Sequence, residues 1–204
     1  MKIYTQDNKS HILNAVNELV DMAKVTFGPA ANKVIIKSGR KLQVVDDGVT
    51  VSDAFELPNE FDQAIVELIR EVSKKTNDRV GDGTTSSLII LQALIHGIYE
   101  GEFYQNVKAR EVVAELQKGL EEVKKQLTNM ARKITSKEDL EKVAFIGFNN
   151  QEIAKVIAEI LWEVGVDGIV TIEESKSMET THDIVKGLQF PRGFASPYFI
   201  IDAA

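Results

Sequence analysis

The segment 81–87 combines the residue types that bind phosphate groups. It reads Gly-Asp-Gly-Thr-Thr-Ser-Ser, and an apolar helical pattern follows it directly. The glycines permit positive φ angles, the hydroxyls can donate hydrogen bonds, and the first turn of the next helix offers free N–H groups. Asp82 adds a hard oxygen ligand that suits Mg²⁺. On its own the motif favours an N-capped helix after a tight turn, and a phosphate site is the functional alternative.

Two other segments carry residues for the same chemistry. Thr26-Phe27-Gly28-Pro29 ends a helical pattern with a backbone that can approach a ligand closely, although a simple helix stop uses the same Gly and Pro. Asp47 precedes Gly48 in a predicted turn, where its carboxylate could orient an attacking water for phosphoryl transfer or remain a solvated turn residue.

A cluster of aromatic residues lies near the end of the sequence. Phe190, Phe194, Tyr198 and Phe199 occur within ten positions, and the prolines and glycine among them exclude a helix. The rings therefore belong to a loop or an irregular strand. They form either an exposed apolar binding patch or part of a core.

Composition excludes other classes of site and partner. The 204 residues are 44% apolar and 27% charged, as in globular proteins, and the net charge of −7 argues against nucleic acid as a main partner. The absence of Cys excludes disulfides and thiol catalysis, and three isolated His residues give no metal-ligand spacing. The polar N-terminus and short apolar runs predict a cytoplasmic chain without a membrane segment.

The pattern of apolar residues predicts the elements that position these groups. Three- and four-residue spacing predicts a helix over 12–23 with Ser10 as N-cap, and further helices over 61–72, 88–98, 109–130 and 153–164. A shorter helix opens at a capping box of Thr135 and Glu138. The helix over 88–98 should be buried, and that over 109–130 should turn an apolar face inward, formed by Val112, Val113, Leu116, Leu120, Val123 and Leu127.

Extended structure is confined to a few short segments. Residues 34–36 and 42–45 predict a hairpin, 169–172 a strand, and 181–190 a further extended segment. The expected fold class is mainly α with small β elements (α+β), with boundaries near residues 130 and 187.

Four signatures together resemble group I chaperonins, the GroEL-type large subunits. They are Val25-Thr26-Phe27-Gly28-Pro29, Asp47-Gly48-Val49-Thr50-Val51, Gly81-Asp82-Gly83-Thr84-Thr85, and the segment 187–199 with its aromatics. They occur in the family's order and at similar spacing, so the whole chain resembles the N-terminal part of that family. The resemblance implies a chaperonin-like fold with half of an equatorial domain over 1–130, the ascending intermediate domain over 131–186, and the start of an apical domain over 187–204.

The resemblance also implies an ATP-dependent protein-folding subunit that uses Mg²⁺. Asp47 matches the carboxylate that acts on the attacking water, and Asp82 matches the magnesium ligand. The positions matching the nucleotide-binding residues are Thr26, Phe27, Gly28, Pro29, Asp82, Gly83, Thr84, Thr85 and Ser86.

The residues that match the family's apical domain imply which proteins this chain would bind. Phe194, Tyr198 and Phe199 match residues that bind non-native proteins and the mobile loop of a co-chaperonin, and Gly187 matches the hinge between intermediate and apical domains. Identical subunits forming a ring are the remaining partners that the resemblance implies. No nucleic acid and no membrane are expected.

The sequence departs from the family's pattern at two places. Asp46 stands where the family usually has Lys, and Ala30-Ala31 replaces a basic residue and Gly. The family's members are more than twice as long, and their second catalytic carboxylate lies outside this sequence. The equatorial helices that would cover much of the apolar surface on 88–98 and 112–127 also lie outside it, so the resemblance implies that this surface is open. The chain alone is therefore expected to bind Mg-ATP weakly and hydrolyse it slowly. A non-catalytic assembly or binding module is the second hypothesis, and an unrelated phosphotransferase is the third.

Overall fold

The computed structural model describes residues 9–101, 107–165, 168–175 and 180–185, together with residues 187, 193, 196 and 198. These residues form seven helices and one hairpin, which confirms the mainly α fold with small β elements. None of the described helices has the length and apolar content that crossing a membrane would require. The elements are α1 (Lys9–Lys24), β1 (Val34–Ser38), β2 (Lys41–Val45), α2 (Gly48–Ala54), α3 (Glu60–Val80), α4 (Thr84–Glu100), α5 (Ala109–Met130), α6 (Lys137–Phe148) and α7 (Gln151–Val164).

The chain divides into two units, residues 1–121 and 122–204. This division falls inside α5, whereas the boundary predicted near residue 130 lies at the end of that helix. The assignment of equatorial, intermediate and apical domains stays a prediction.

Helix α1 lies at the centre of the first unit. Its apolar residues recur on one face, as predicted, and they pack against Val66 and Ile69 of α3 and Leu88 of α4. Burying a side chain of this size contributes about 1.5–3 kcal/mol, so this core holds the three helices together. Ser10 lies within α1 and is not its N-cap, which corrects the predicted start. The buried residues of α1 are Ala15, Val16, Leu19, Val20 and Ala23.

The hairpin of β1 and β2 follows α1. The two strands pair antiparallel, with Val34 opposite Val45 and Ser38 opposite Lys41, as the sequence predicted. Val45, at the base of the hairpin, is buried, whereas most of the other strand residues are exposed. The base of the hairpin is thus fixed against the unit, immediately before α2 begins.

Arg70 of α3 anchors the C-terminal end of α2. Its Nε donates to the carbonyl oxygen of Ser52 at 3.0 Å, and its Nη2 donates to the carbonyl oxygen of Phe55 at 2.7 Å. The last carbonyls of a helix have no partner within the helix, and the guanidinium satisfies two carbonyls at this end. Helix α2 is therefore fixed at its C-terminal end by a neighbouring element.

A hydrogen-bonded network centred on Gln92 joins α1 to α4. Gln92 Nε2 donates to Asn17 Oδ1 at 2.8 Å and to Asp21 Oδ1 at 3.1 Å, and Lys24 Nζ donates to Gln92 Oε1. His96 Nε2 lies 2.7 Å from the same Asn17 oxygen. A buried amide without partners destabilises the fold. The register of α1 and α4 that allows these bonds is therefore favoured over registers that would break them.

The network makes Asp21 sensitive to acid. The hydrogen bond from Gln92, assisted by Lys24, holds the pKa of the Asp21 carboxyl below its ordinary value. A depressed folded-state pKa contributes stability that is present above the unfolded pKa, about 3.9, and is lost as the pH falls through the folded pKa. We therefore expect Asp21→Asn to flatten the acid side of the Tm profile below about pH 4, measured by thermal unfolding.

Glu18→Gln provides the control for this measurement, since it removes one carboxylate from the same helix. Glu18 forms no hydrogen bond to Gln92 in the described part of the chain. An acid limb of the Asp21→Asn profile that runs parallel to the wild-type limb would contradict the role of this carboxylate.

Helix α6 opens the regular structure of the second unit beyond α5. Its N-cap is Ser136, whose hydroxyl accepts a hydrogen bond from the N–H of Asp139 at 3.2 Å. The predicted capping box of Thr135 and Glu138 is therefore wrong by one residue. Ser136 is as good a capping residue as Thr135, and its position one residue later places two carboxylates, Glu138 and Asp139, in the first turn.

Helices α6 and α7 form a hairpin with a very short connection. Asn149 ends α6 in the left-handed region, with φ of 48°, and Asn150 caps α7 by accepting from the N–H groups of Glu152 and Ile153. An ion pair of 2.8 Å between Lys137 Nζ and Glu159 Oε1 links the two helices. The buried residues of α7 are Ala154 and Ala158, whose small side chains let α6 approach closely.

Three sequence-based expectations about burial and strands are wrong for the described residues. Helix α4 buries Leu88 but exposes Ile90 and Leu94, so it is not enclosed on all sides. Residues 169–172 form no strand, because the only ladder in the described ranges is that of β1 and β2. Helix α5 buries no residue, so the inward face predicted from periodicity is wrong, whereas the open surface that the resemblance implies is observed. The exposed positions on its apolar face include Val113, Leu116, Leu120, Val123 and Leu127.

Candidate functional site

The connection between α3 and α4 leaves the start of α4 uncapped. Gly81 and Gly83 adopt φ angles of 76° and 77°, in the left-handed region that glycine enters without steric strain. Gly83 is the N-cap of α4 and provides no side-chain acceptor. The first N–H groups of α4 are therefore available to an anion, and the helix dipole favours a negative charge there.

Asp82 lies between these two glycines and is exposed to solvent. Its Oδ1 accepts a hydrogen bond from the N–H of Gly83 at 2.6 Å, which fixes the orientation of the carboxylate. Among the described residues, no group of three or more His, Cys, Asp or Glu could hold a metal. Mg²⁺ is commonly held by one or two carboxylates together with waters and substrate phosphates, so a single fixed carboxylate beside an anion site fits this ion.

Asp47 begins a helix that the sequence did not predict. Its Oδ1 accepts a hydrogen bond from the N–H of Thr50 at 2.8 Å, so Asp47 is the N-cap of α2 where a turn was expected. The carboxylate is held by the helix it starts, and it remains exposed. A fixed, exposed carboxylate is suited to act on a water molecule.

The start of α2 and the start of α4 meet beside the end of α1. A Cβ atom added to Gly48 would lie 2.0 Å from Thr85 Oγ1 and 3.6 Å from Thr26 Oγ1. Gly48 and Thr85 are both buried, whereas Asp47, which directly precedes Gly48, is exposed. The structure thus brings together members of three of the four sequence signatures: Thr26, the Asp47–Gly48 pair and Thr85.

The loop after α1 is held by its own backbone. The hydroxyl of Thr26 donates to the carbonyl oxygen of Ala23 at 2.9 Å, and the N–H of Asn32 donates to the carbonyl oxygen of Val25 at 2.8 Å. Phe27, Gly28 and Pro29 lie between these two bonds and are exposed. The loop therefore presents its backbone and the Phe27 ring at the surface next to Thr26.

An ion pair that the sequence reading missed lies at the base of the hairpin. Lys33 Nζ is 3.8 Å from Asp46 Oδ2, and both side chains are largely exposed. Lys33 directly precedes β1, and Asp46 directly follows β2. The adjoining strand residues, Val34 of β1 and Val45 of β2, are paired. Antiparallel pairing of the predicted strands would have placed them opposite each other. The negative charge of Asp46 beside Asp47 thus has a nearby cation.

The aromatic and hinge positions fall mostly outside the described ranges. Phe194 and Phe199, and also Phe190, belong to the part that the structure does not describe. Tyr198 is described and is 95% exposed, so its ring is available to a partner. Gly187 has a φ of 126°, a conformation that other residues rarely adopt.

Comparison with known proteins yields curated relatives along almost the whole chain. The Chaperonin GroEL of Aster yellows witches'-broom phytoplasma (strain AYWB) is 34% identical over 205 residues, which cover 98% of this chain and 37% of that relative. The Chaperonin GroEL of Onion yellows phytoplasma (strain OY-M) gives the same identity and coverage. The chain thus spans 37% of the length of these curated relatives.

Solved structures resemble the fold as well. They include the chaperonin gp146 from the bacteriophage EL 2 (Pseudomonas aeruginosa), in presence of ATP-BeFx. Its crystal form II gives a TM-score of 0.66 at 25% identity, covering 78% of this chain and 28% of that chain. Its crystal form I gives a TM-score of 0.65 at 24% identity, covering 79% and 29%.

The family assignment rests on a match over most of the sequence. The model of the TCP-1/cpn60 chaperonin family matches residues 19–202, a range that contains all four signatures. The resemblance read from those signatures is thereby confirmed. This chain belongs to the TCP-1/cpn60 chaperonin family.

Proposed function

We propose that this chain acts in an ATP-dependent protein-folding chaperonin and that its first unit binds Mg-ATP. One observation supports this proposal above the others, namely the meeting of Thr26, Gly48 and Thr85 beside the uncapped start of α4. These residues are far apart in the sequence, and their signatures are those that the family uses for nucleotide. An isolated N-capped helix would not require that meeting.

The phosphates would be bound chiefly by α4. Its free N–H groups and the hydroxyls of Thr84, Thr85 and Ser86 can donate hydrogen bonds to phosphate oxygens. Gly83 has no side chain and permits close approach of the backbone. The loop from Thr26 to Pro29 would line the bound nucleotide from the side of α1.

Asp82 would hold the magnesium ion. Mg²⁺ held there would offset the negative charge of the phosphates. The hydrogen bond from the Gly83 N–H to Asp82 Oδ1 orients the carboxylate and leaves Oδ2 as the oxygen for the metal. Asp82 therefore contributes to binding rather than to proton transfer.

Asp47 would orient the attacking water and accept its proton. One carboxylate oxygen is engaged with the N–H of Thr50, and the other is left for the water. Phosphoryl transfer depends mostly on positioning and electrostatics, so a carboxylate fixed by its own helix is well suited to this role. The adjacent Asp46 adds negative charge, which the Lys33 ammonium at 3.8 Å partly offsets.

The second unit would contribute to the capture of proteins. We propose that Tyr198, with Phe194 and Phe199, binds the exposed apolar side chains of non-native polypeptides, and that a co-chaperonin competes there. Exposed aromatic rings give large apolar contact without requiring a defined partner shape. Gly187 would permit the domain rotation that presents these aromatic side chains. The subunit would act in a ring of identical subunits in the cytoplasm.

A non-catalytic assembly module is the second candidate. It is supported by the exposed apolar face of α5, since such a face suits contact with other chaperonin segments. Calorimetry with Mg-ATP separates the candidates. The module is favoured if no heat of binding appears while the chain still captures a denatured client.

We expect isothermal titration calorimetry of the 204-residue chain to give a Kd for Mg-ATP of about 1 mM. Asp82→Asn should weaken Mg-ATP binding about tenfold, because it removes the magnesium ligand while its side-chain oxygen still accepts from the Gly83 N–H. With a chelator present, wild type and variant should bind ATP equally weakly.

The matched control for this titration is Asp78→Asn. It removes the same charge from an exposed position in the last turn of α3. A general effect of charge would weaken binding in both variants. Equal affinities of Asp82→Asn and wild type for Mg-ATP would contradict the assignment of Asp82 as the metal ligand.

A further inference from the structure

Gly48 does not need to be glycine for the sake of its backbone. It is the first residue of α2 and does not adopt a positive φ angle. Any residue can adopt such a conformation, and Ala is a better helix former than Gly. The reason for glycine must therefore lie in the space around it.

That space is occupied by α4. A Cβ on Gly48 would lie 2.0 Å from Thr85 Oγ1 and 3.2 Å from Thr85 Cβ. The contact with Oγ1 is the more severe of the two, and the contact with Thr85 Cβ would remain tight even without it. The first turn of α4 therefore packs, through the Thr85 side chain, directly against the backbone of α2 at Gly48.

We propose that Gly48 is a positioning residue, whose missing side chain sets how far the Asp47 carboxylate stands from the phosphate-binding start of α4. This inference rests on the nucleotide site proposed above. It concerns the spacing of the two helices, and it assigns Gly48 no contact with the nucleotide.

Of the two helices, α2 is the one that would yield to a larger side chain. Helix α4 is seventeen residues long and is held by the fully buried Leu88 and by Gln92. Helix α2 has seven residues and is anchored at its C-terminal end by Arg70. A methyl group at position 48 would therefore pivot the start of α2 outward and carry Asp47 away from the phosphates.

The consequence is a selective loss of turnover. A displacement of about 1 Å in the reacting geometry can lower a rate about 100-fold, whereas the groups on α4 that bind the phosphates would stay in place. We expect Gly48→Ala to lower kcat for ATP hydrolysis about tenfold with KM within about twofold of wild type. The measurement is radiolabelled ATP hydrolysis by the 204-residue chain.

Gly97→Ala is the matched control. Gly97 lies within α4, and a Cβ added there would meet no atom within 4 Å. It makes the same chemical change without a steric conflict, so kcat should not fall. If Gly48→Ala keeps the wild-type kcat, or if KM rises while kcat is unchanged, the positioning role is wrong.

A double variant keeps the test decisive if Gly48→Ala folds poorly. Thr85→Ala removes the hydroxyl that the new methyl group would strike. Gly48→Ala should lower Tm in the wild-type background and lower it less in the Thr85→Ala background, where the 2.0 Å contact is gone and only the 3.2 Å contact with the Cβ of residue 85 remains. Equal Tm losses in both backgrounds would contradict the steric basis. Absence of Mg-ATP binding by wild type would instead overturn the proposed nucleotide site, a result that calorimetry distinguishes from these.

Discussion

Asp47→Asn is expected to lower ATP hydrolysis by the chain about 100-fold while leaving its folding intact. The carboxylate would lose its ability to accept a proton from the attacking water. The cap of α2 would survive, because an Asn side-chain oxygen can accept the hydrogen bond from the Thr50 N–H as Asp47 Oδ1 does. The measurement is the rate of phosphate release at saturating Mg-ATP, with Tm recorded for the same samples.

Asp47→Ala completes the design, because it removes both the charge and the cap. Loss of an N-cap costs about 0.5–2 kcal/mol, so this variant should be less stable as well as inactive. Asp78→Asn, at an exposed position in the last turn of α3, is the control for charge. Hydrolysis by Asp47→Asn at the wild-type rate would contradict the catalytic role of this carboxylate.

Leu88→Ala is expected to have the largest effect on stability. Leu88 is fully buried where α4 meets α1 and α3. Removing a buried Leu side chain costs about 2–5 kcal/mol, the upper part of that range applying when the surroundings cannot collapse. For a unit of this size the loss corresponds to a fall in Tm of about 10 °C or more, measured by circular dichroism.

Leu94→Ala is the matched control in the same helix. Leu94 is 42% exposed, so the same truncation removes much less buried contact. We expect its Tm to fall by less than half as much. If the two variants lost equal stability, the core would not be centred on the junction of α1, α3 and α4.

The long helices could be predicted because their chemistry is local. Ile12 to Ala23 repeat at the spacing of one helical face, and the predicted range of α5 agrees with the observed Ala109–Met130. The hairpin was equally readable, since two short β-prone runs flank a turn at Gly39. In each of these cases the local preference and the observed structure agree.

Helix α2 could not be predicted, because its own residues disfavour a helix. Its sequence Gly-Val-Thr-Val-Ser-Asp-Ala contains glycine and β-branched residues, which are poor helix formers. Contacts from elsewhere in the chain supply what the local sequence lacks. The Asp47 cap starts the helix, and the Arg70 guanidinium satisfies carbonyls at its end.

Burial was the property that the sequence predicted least well. Apolar periodicity shows that α5 has one greasy side, and it does not show what covers that side. Leu116 and Leu120 were expected to face a core and are exposed in the structure. Periodicity likewise suggested a strand over 169–172, but a strand also needs a partner to supply its hydrogen bonds.

The candidate site shows the same limit. Its residues were readable as signatures, because glycines, hydroxyls and carboxylates at short spacing indicate phosphate chemistry. That they share one site was predicted from their common chemistry and from the resemblance, but the particular contact of Gly48 with Thr85 was not readable, because it depends on the packing of α2 against α4. Lys33 was missed for a related reason, since its proximity to Asp46 follows from strand pairing.

The cap that Asp47 provides to α2 has a consequence for how such a protein could evolve. A single base change converts an Asp codon to an Asn codon, and here that change would preserve the hydrogen bond that starts the helix. Selection on folding alone would not remove it. With Asp47 in the proposed role, a gene lineage would lose ATP hydrolysis in one step while its product stays folded. For a related sequence, the proposal makes the residue at position 47 more informative about activity than the presence of the fold.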